Sequence, residues 1–190
     1  MTGLTGCAAA AVPYTSDPAK KLKNAESLYI NSNRPLPAES LIEEAYEGCR
    51  KKYAKDDTCL AAVYITYAGF LQSNAVSNWA EGYRKDGFWD KSVTVDNRFE
   101  KAIEYWFKAI EIFEKERMFA EASNGYLNIG KIYHYRIRNA SEACKKYNQS
   151  IQSHLKFKNE YPGEEVQLPK GYNNFIDFID YYKKSAGCEE

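Results

Sequence analysis

Residues 97–151 decide the fold, because they carry one pattern twice. The first copy is NRFEKAIEYWFKAI, from Asn97 to Ile110, and the second is NASEACKKYNQSI, from Asn139 to Ile151. In each copy a small, an aromatic and a small residue follow one another at spacings of four and three, and the two sets are offset by 41 residues. They are Ala102, Trp106 and Ala109, then Ala143, Tyr147 and Ser150. This spacing places three side chains on one face of an α-helix.

Each copy also begins with a helix-start pattern. Asn97 with Glu100, and Asn139 with Glu142, have the spacing of a capping box, in which the Asn side chain accepts from a free backbone amide and the Glu side chain returns to the cap. A further helical segment lies between the copies, with Gly130 where another helix can approach closely. The sequence therefore predicts three consecutive helices here.

This arrangement resembles the tetratricopeptide repeat (TPR) family. The large, large, glycine and aromatic positions of the family's first helix are matched by Tyr126, Ile129, Gly130 and Tyr133, and its second helix is matched by Ala143, Tyr147 and Ser150. The 21 residues from Ala109 to Gly130 resemble the longer version of the repeat, of roughly 40 residues. The resemblance implies stacked helical hairpins that bury a continuous core over about three units.

A more diverged third copy is predicted upstream. Leu41, Ala45 and Gly48 are at helix spacing, and Ala68 follows Gly48 by 20 residues. We therefore predict an all-α, TPR-like α-solenoid of three helical hairpins plus a C-terminal capping helix. Residues 17–160 hold the repeats, and residues 161–190 hold a linker and the capping helix, with Phe175, Ile176, Ile179 and Tyr182 on its apolar face. The first helix is predicted over 17–31, a connector at 34–37 and the next helix start at Ser40 with Glu43.

An aromatic insertion at 73–96 separates the upstream copy from the next one. The helix before it is predicted to continue to about Arg84 and to end at Asp86 and Gly87. The insertion contains Trp79, Tyr83, Phe88 and Trp89. Two interpretations remain open: these aromatics form a contact surface on one edge of the stack, or they pack over the neighbouring hairpin.

The first 16 residues resemble the start of a bacterial lipoprotein. Leu4-Thr-Gly-Cys7 is similar to a lipobox, in which the cysteine is lipidated, and the Ala-rich stretch that follows is suited to a flexible tether. Six residues precede Cys7, fewer than a signal peptide needs. Either the start of the protein lies upstream, or the match is accidental.

The chain has five cysteines, and four remain once Cys7 is set aside. Cys49 and Cys59 flank a polar turn between two predicted helices, so a bond between them would join a helical hairpin. Cys144 and Cys188 form the second predicted pair, which would fix the last helix. The alternative is that all four are buried free thiols.

Composition and motifs favour a binding protein over an enzyme. Lys plus Arg and Asp plus Glu are 26 each, and this balance argues against nucleic acid as the main partner. The only histidines are His134 and His154, and no catalytic, metal-ligating or phosphate-binding motif is present. We predict no catalytic residue, no metal, no cofactor and no small-molecule substrate.

The TPR resemblance implies a groove lined by the first helix of each hairpin. The residues that it places there are Asn124, Leu127, Asn128, Lys131, His134 and Tyr135, with Ile65 and Gln72 from the preceding copy. The implied partner is a protein or peptide. The predicted function is a non-enzymatic interaction module, anchored through Cys7 to a bacterial envelope membrane, facing the periplasm and assisting the assembly of a larger complex. The alternatives are a soluble cytosolic TPR adaptor and a ligand- or glycan-binding protein that uses the aromatic insertion.

Overall fold

The computed structural model describes residues 15–52 and 57–188, and these residues form nine α-helices and no strand. The helices are α1 (Pro18–Asn31), α2 (Pro35–Lys52), α3 (Asp57–Gln72), α4 (Asn74–Asn78), α5 (Ala80–Asp86), α6 (Arg98–Lys115), α7 (Phe119–Ile132), α8 (Ala140–Glu160) and α9 (Phe175–Ala186). A π-helical segment, Tyr133–Ile137, continues α7. The all-α prediction is confirmed. The lipobox-like Cys7 lies outside the described residues.

Side-chain caps fix the start of four helices. Asp17 caps α1, Ser73 caps α4, Asn139 caps α8 and Asn174 caps α9, each by accepting from a backbone N–H of the first turn. Each cap pairs one of the N–H groups that a helix start leaves without a partner. The predicted cap at Asn139 is confirmed, although Glu142 pairs with Lys145 instead of returning to the cap.

One predicted side-chain cap and one predicted helix start are wrong. Asn97 precedes α6, but its side chain accepts from the Thr94 amide and donates to the Ser92 carbonyl, so it stabilises the preceding turn and leaves the helix uncapped. The second error concerns α2, which begins at Pro35 and not at Ser40. Prolines at the start of a helix lack only N–H groups that would be unpaired there, so the Pro-rich connector is compatible with the first turn.

The aromatic insertion is folded differently from the prediction. Instead of one helix that reaches Arg84, the chain breaks at Ser73, whose hydroxyl caps α4, and again at Trp79 between α4 and α5. The predicted end is correct, because α5 stops at Asp86 and Gly87 follows with a φ of 78°. A left-handed φ of this kind favours glycine at a helix end.

The helices pack in antiparallel order along the chain. The main pairs are α1 with α2, α3 with α6, and α7 with α8, and further contacts join α6 to α7 and α8 to α9. Lys21 pairs with Glu44 across the first pair, and Lys115 Nζ lies 2.5 Å from Asp57 Oδ2 across the second. In the third pair the buried Ser123 and Ser150 each donate a hydroxyl hydrogen bond, 2.8 Å long, to the other's carbonyl.

The small and aromatic residues of the twofold pattern are core residues. Ala102, Ala109, Ala143, Tyr147 and Ser150 have no exposed surface, and Trp106 is nearly buried. Close helix contact at the small positions lets the large rings fill the space between helices, which is how such pairs reach interior packing density. A smaller cluster, centred on Tyr147 of α8 and Phe175 and Ile179 of α9, closes the C-terminal end. Ile176, predicted on the apolar face of α9, is partly exposed.

Two disulfides join neighbouring helices. Cys49–Cys59 connects the end of α2 to the start of α3, and Cys144–Cys188 connects the start of α8 to the residues after α9. The Cα atoms are 5.6 Å apart in both pairs. Both predicted pairs are confirmed, and the alternative of free thiols at these positions is wrong. Stable disulfides are typical of oxidising compartments outside the cytoplasm. None of the helices in the described part of the chain is long and apolar enough to span a membrane.

Candidate interaction groove

We call the surface between α1, α3 and α7 the groove face, and it contains a cavity of about 380 Å³. The residues that line it come from all three helices, from the α3–α4 junction and from α6: Tyr29, Ile30, Gly69, Gln72, Ser73, Asn74, Trp106 and Asn128. The structure therefore brings together two of the predicted groove residues, Gln72 and Asn128, although 56 residues separate them in the sequence.

The cavity offers hydrogen-bond acceptors beside apolar surface. Gln72 Nε2 donates to the Ala68 carbonyl over 2.9 Å, and Asn128 Nδ2 donates to the Asn124 carbonyl over 2.8 Å. Each bond uses the side-chain N–H₂ within its own helix and fixes the orientation of the amide, so the side-chain oxygen is left as the acceptor. Ile30 stands at the rim with 66% of its surface exposed. This combination suits an extended peptide, which presents backbone N–H donors and apolar side chains.

Two of the predicted groove residues on α7, Leu127 and Lys131, lie against residues of α9. Leu127 is buried in the cluster that α9 closes, so its assignment to the groove surface is wrong. Lys131 has its Nζ 4.6 Å from the centroid of the Tyr182 ring and 5.8 Å from that of Phe178. Burial under these rings lowers the pKa of the Lys131 ammonium.

Three other predicted groove residues lie on α7 and on the π-helical segment that follows it. Asn124 is exposed in the first half of α7 and accepts the hydrogen bond from Asn128. His134 and Tyr135 lie in the π-helical segment, where their rings stack at 4.0 Å and His134 Nδ1 is 3.4 Å from Tyr147 Oη. Tyr135 is half exposed. Single π-helical turns often occur at functional sites. Ile65 of α3 is half-buried against the main core and does not line the cavity.

The insertion aromatics are divided between core and surface. Tyr83 and Phe88 are buried and stack on each other at 4.1 Å, so their assignment to an exposed insertion surface is wrong. Trp89 is half-buried, edge-on to Tyr46 at 5.1 Å. Of the four, Trp79 is the exposed one, at 45%. The packing interpretation therefore holds for Tyr83 and Phe88.

Glu39 of α2 attaches the insertion to the rest of the fold. Only 7% of its surface is exposed, and its Oε1 accepts from the Trp89 backbone N–H over 2.8 Å and from Tyr67 Oη over 3.1 Å. Burial raises the pKa of this carboxyl against the opposing effect of its hydrogen bonds. This role was not predictable from the sequence, because a glutamate in an amphipathic helix is normally solvated.

The described residues show no candidate metal centre, since they contain no group of three or more His, Cys, Asp and Glu side chains that could hold a metal ion. His154 is buried against Phe175, with ring centroids 4.3 Å apart, and its Nδ1 has no hydrogen-bond partner within the described part of the chain. Burial lowers the pKa of this imidazole, so its neutral form packs as part of the α8–α9 interface.

Comparison of the chain with protein-family models, with curated proteins and with solved structures finds no match to any of the three.

Proposed function

We propose that the chain is a non-enzymatic, TPR-like interaction module that holds an extended segment of a partner protein on its groove face. The observation that carries the proposal is the cavity whose lining includes residues of α1, α3 and α7, three helices that are separate in sequence. The helices also form three antiparallel pairs in chain order, α1 with α2, α3 with α6 and α7 with α8, and α9 packs on α8 after the last pair. This order supports the comparison with a helical-repeat stack.

The groove face favours an extended peptide for a chemical reason. The amide oxygens of Gln72 and Asn128 are oriented by their own intrahelical bonds, so they can accept from a peptide backbone without being reorganised on binding. Exposed Ile30 supplies an apolar contact at the rim. The rings over Lys131 argue against a clamp for a terminal carboxylate at that position.

We place this module outside the cytoplasm, attached to a bacterial envelope membrane through lipidated Cys7, where it assists the assembly of a larger complex. The two disulfides support the placement in an oxidising compartment.

Lipidation is tested by the intact mass of the protein expressed in a bacterium from its full upstream reading frame. A diacylglyceryl addition on Cys7 is the expected result, and an unmodified Cys7 would end the lipoprotein hypothesis while leaving the groove intact.

The groove proposal is tested with a random peptide library displayed on phage and selected against the disulfide-bonded protein. Affinities of the enriched peptides are then measured for two variants of the groove face, Ile30→Asp and Gln72→Arg. Both should weaken binding tenfold or more, because one places a charge at the apolar rim and the other removes an oriented acceptor and fills the cavity.

Asn148→Arg is the matched control, since Asn148 is exposed on α8 and does not line the cavity. It should leave every affinity unchanged. Failure to enrich any peptide, or enriched peptides whose affinity neither groove variant alters, would overturn the proposed groove.

A further inference from the structure

A second concave site, the aromatic recess, lies between α2, α3, α6 and the segment after α5. Its volume is about 490 Å³, which is larger than that of the groove cavity. It is lined by Tyr46, Tyr64, Trp89, Asp90, Lys91, Ser92, Lys101, Glu104, Tyr105 and Lys108. None of these residues lines the groove cavity, so the recess is independent of the proposed function.

The walls of the recess are aromatic. Tyr46 and Trp89 meet edge to face at 5.1 Å, and Tyr64 and Tyr105 are tilted against each other at 5.8 Å. Tyr46, Tyr64 and Trp89 are each half-buried, so their rings are held in place by the core and yet remain partly accessible. Rings held in this way give a ligand apolar contact area with little loss of side-chain entropy on binding.

The recess is built by contacts that hold its parts in place. Tyr105 Oη donates to Asp90 Oδ2 over 2.8 Å, which links α6 to the inserted segment. Asp90 Oδ1 accepts from the Ser92 backbone N–H over 2.9 Å. The Trp89 backbone N–H donates to Glu39 Oε1. The inserted segment is therefore the element that closes one side of the recess.

The charges around the recess leave an excess of cations. Its two carboxylates are engaged, Asp90 with Tyr105 and Ser92, and Glu104 with Lys101 over 2.8 Å. Lys91 and Lys108 form no ion pair with any carboxylate in the described ranges. Lys108 Nζ instead lies 4.5 Å from the centroid of the Tyr105 ring. The exposed ammonium group of Lys91 and that of Lys108, which lies beside the Tyr105 ring, favour a ligand that carries negative charge.

We propose that the aromatic recess binds an acidic saccharide, a sugar ring that carries a carboxylate or a phosphate group. A pyranose has an apolar face to lie on a ring and hydroxyl groups at its edge to form hydrogen bonds. Every residue that lines the recess has a polar side-chain atom and four are aromatic, whereas sites for largely apolar small molecules have mostly hydrophobic linings. Lys91 and Lys108 supply the contact that selects the acidic sugar over its neutral counterpart.

The test is isothermal titration calorimetry with four probes. They are a glucuronate-containing disaccharide, the matching glucose disaccharide, glucose 6-phosphate, and a short Glu-Tyr-Glu peptide. At least one acidic sugar should bind tenfold or more tighter than the neutral disaccharide. Comparing the glucuronate and phosphate probes identifies which acidic group the recess prefers. Equal affinity for acidic and neutral sugars, no binding of either acidic sugar, or binding of the peptide alone would overturn the proposal.

Lys108→Gln should weaken the acidic sugar tenfold or more and leave the thermal unfolding midpoint unchanged. The matched control is Lys156→Gln, since Lys156 is also a lysine near an aromatic ring, 5.8 Å from the Phe119 centroid, and lies outside the recess. It should bind as the wild type does. An equal loss in both variants would mean that general surface charge, and not the recess, attracts the ligand. Phage-selected peptides should bind Lys108→Gln normally, which separates this site from the groove.

Discussion

Gly130 of α7 lies directly against the ring of Tyr147 of α8. A Cβ atom built on Gly130 would be 2.5 Å from Tyr147 Cε1 and 2.6 Å from its Cδ1. Tyr147 is fully buried, so its ring can move away only by displacing neighbouring core side chains. The absence of a side chain at residue 130 is therefore what allows α7 and α8 to approach this closely.

Gly130→Ala should destabilise the protein despite the better helix propensity of alanine. Overpacking of a filled core costs about 1–3 kcal/mol, against a propensity gain of about 1 kcal/mol. We expect a net loss of up to about 2 kcal/mol in the free energy of unfolding, measured by urea denaturation. Gly82→Ala is the control, because Gly82 is also helical and its nearest neighbour would be 3.7 Å from a new Cβ. It should be neutral or slightly stabilising. Equal effects of the two substitutions would contradict the close contact.

The α7–α8 contact was predictable from sequence because it depends on local spacing. A glycine on one helix and an aromatic between two small residues on the next form a pattern that 3.6-residue periodicity makes visible. Asn97 shows where such reasoning fails. Its spacing to Glu100 fits a capping box, but its side chain forms hydrogen bonds with the Thr94 amide and the Ser92 carbonyl instead of with the helix. Local spacing cannot show which of two nearby partners a polar side chain takes.

Phe88→Ala should be far more destabilising than Trp79→Ala. Phe88 is fully buried and stacked on Tyr83, so its truncation leaves a cavity at a cost of about 3–5 kcal/mol. Trp79 is 45% exposed, and its truncation should cost less than about 1 kcal/mol. Urea denaturation of the two variants measures both costs. Similar small losses would mean that the inserted segment is not part of the core.

Glu39→Gln should change how stability depends on pH. The pKa of the Glu39 carboxyl is raised in the folded state, chiefly by burial, so the folded protein binds this proton more tightly than the unfolded chain does. The favourable contribution is complete below the usual glutamate pKa of about 4.3 and is lost as the pH rises through the higher folded pKa. Glutamine keeps an acceptor for Trp89 N–H and Tyr67 Oη but carries no charge.

We therefore expect Glu39→Gln to gain stability relative to wild type as the pH rises from the usual glutamate pKa of about 4.3 towards neutrality, measured by urea denaturation at each pH. Glu43→Gln, an exposed change on the same helix, should show no such divergence. If the wild-type and Glu39→Gln curves stay parallel over this range, Glu39 is not the buried acid that the structure indicates. Glu39→Ala should cost about 1–3 kcal/mol at pH 7, because the Trp89 N–H and the Tyr67 hydroxyl lose their acceptor.

The candidate sites were harder to predict than the fold, because they depend on contacts distant in sequence. Gln72 and Asn128 were predicted by matching each to the repeat, and they do meet at one cavity. Leu127 was matched in the same way, yet α9 covers it. The position of α9 depends on its own cluster with Tyr147 and on the Cys144–Cys188 bond, which repeat spacing does not specify. The aromatic recess likewise depends on Glu39 meeting the Trp89 backbone 50 residues away.

The two disulfides should contribute unequally, and their loss should loosen different parts of the molecule. The Cys49–Cys59 bond closes a loop of 10 residues and the Cys144–Cys188 bond one of 44. In the chain-entropy description, these loops correspond to about 3 and about 4 kcal/mol of stabilisation.

Helix α9 is attached through the smaller C-terminal cluster. Cys144→Ser with Cys188→Ser should therefore release α9 and expose Leu127 and Lys131, while Cys49→Ser with Cys59→Ser should leave α9 in place. Hydrogen exchange measured by mass spectrometry separates the two cases. The first double variant should lose protection in α9 at low denaturant, and the second only at the end of α2 and the start of α3. Uniform loss of protection in both variants would mean that α9 has no local stability of its own and unfolds with the whole domain.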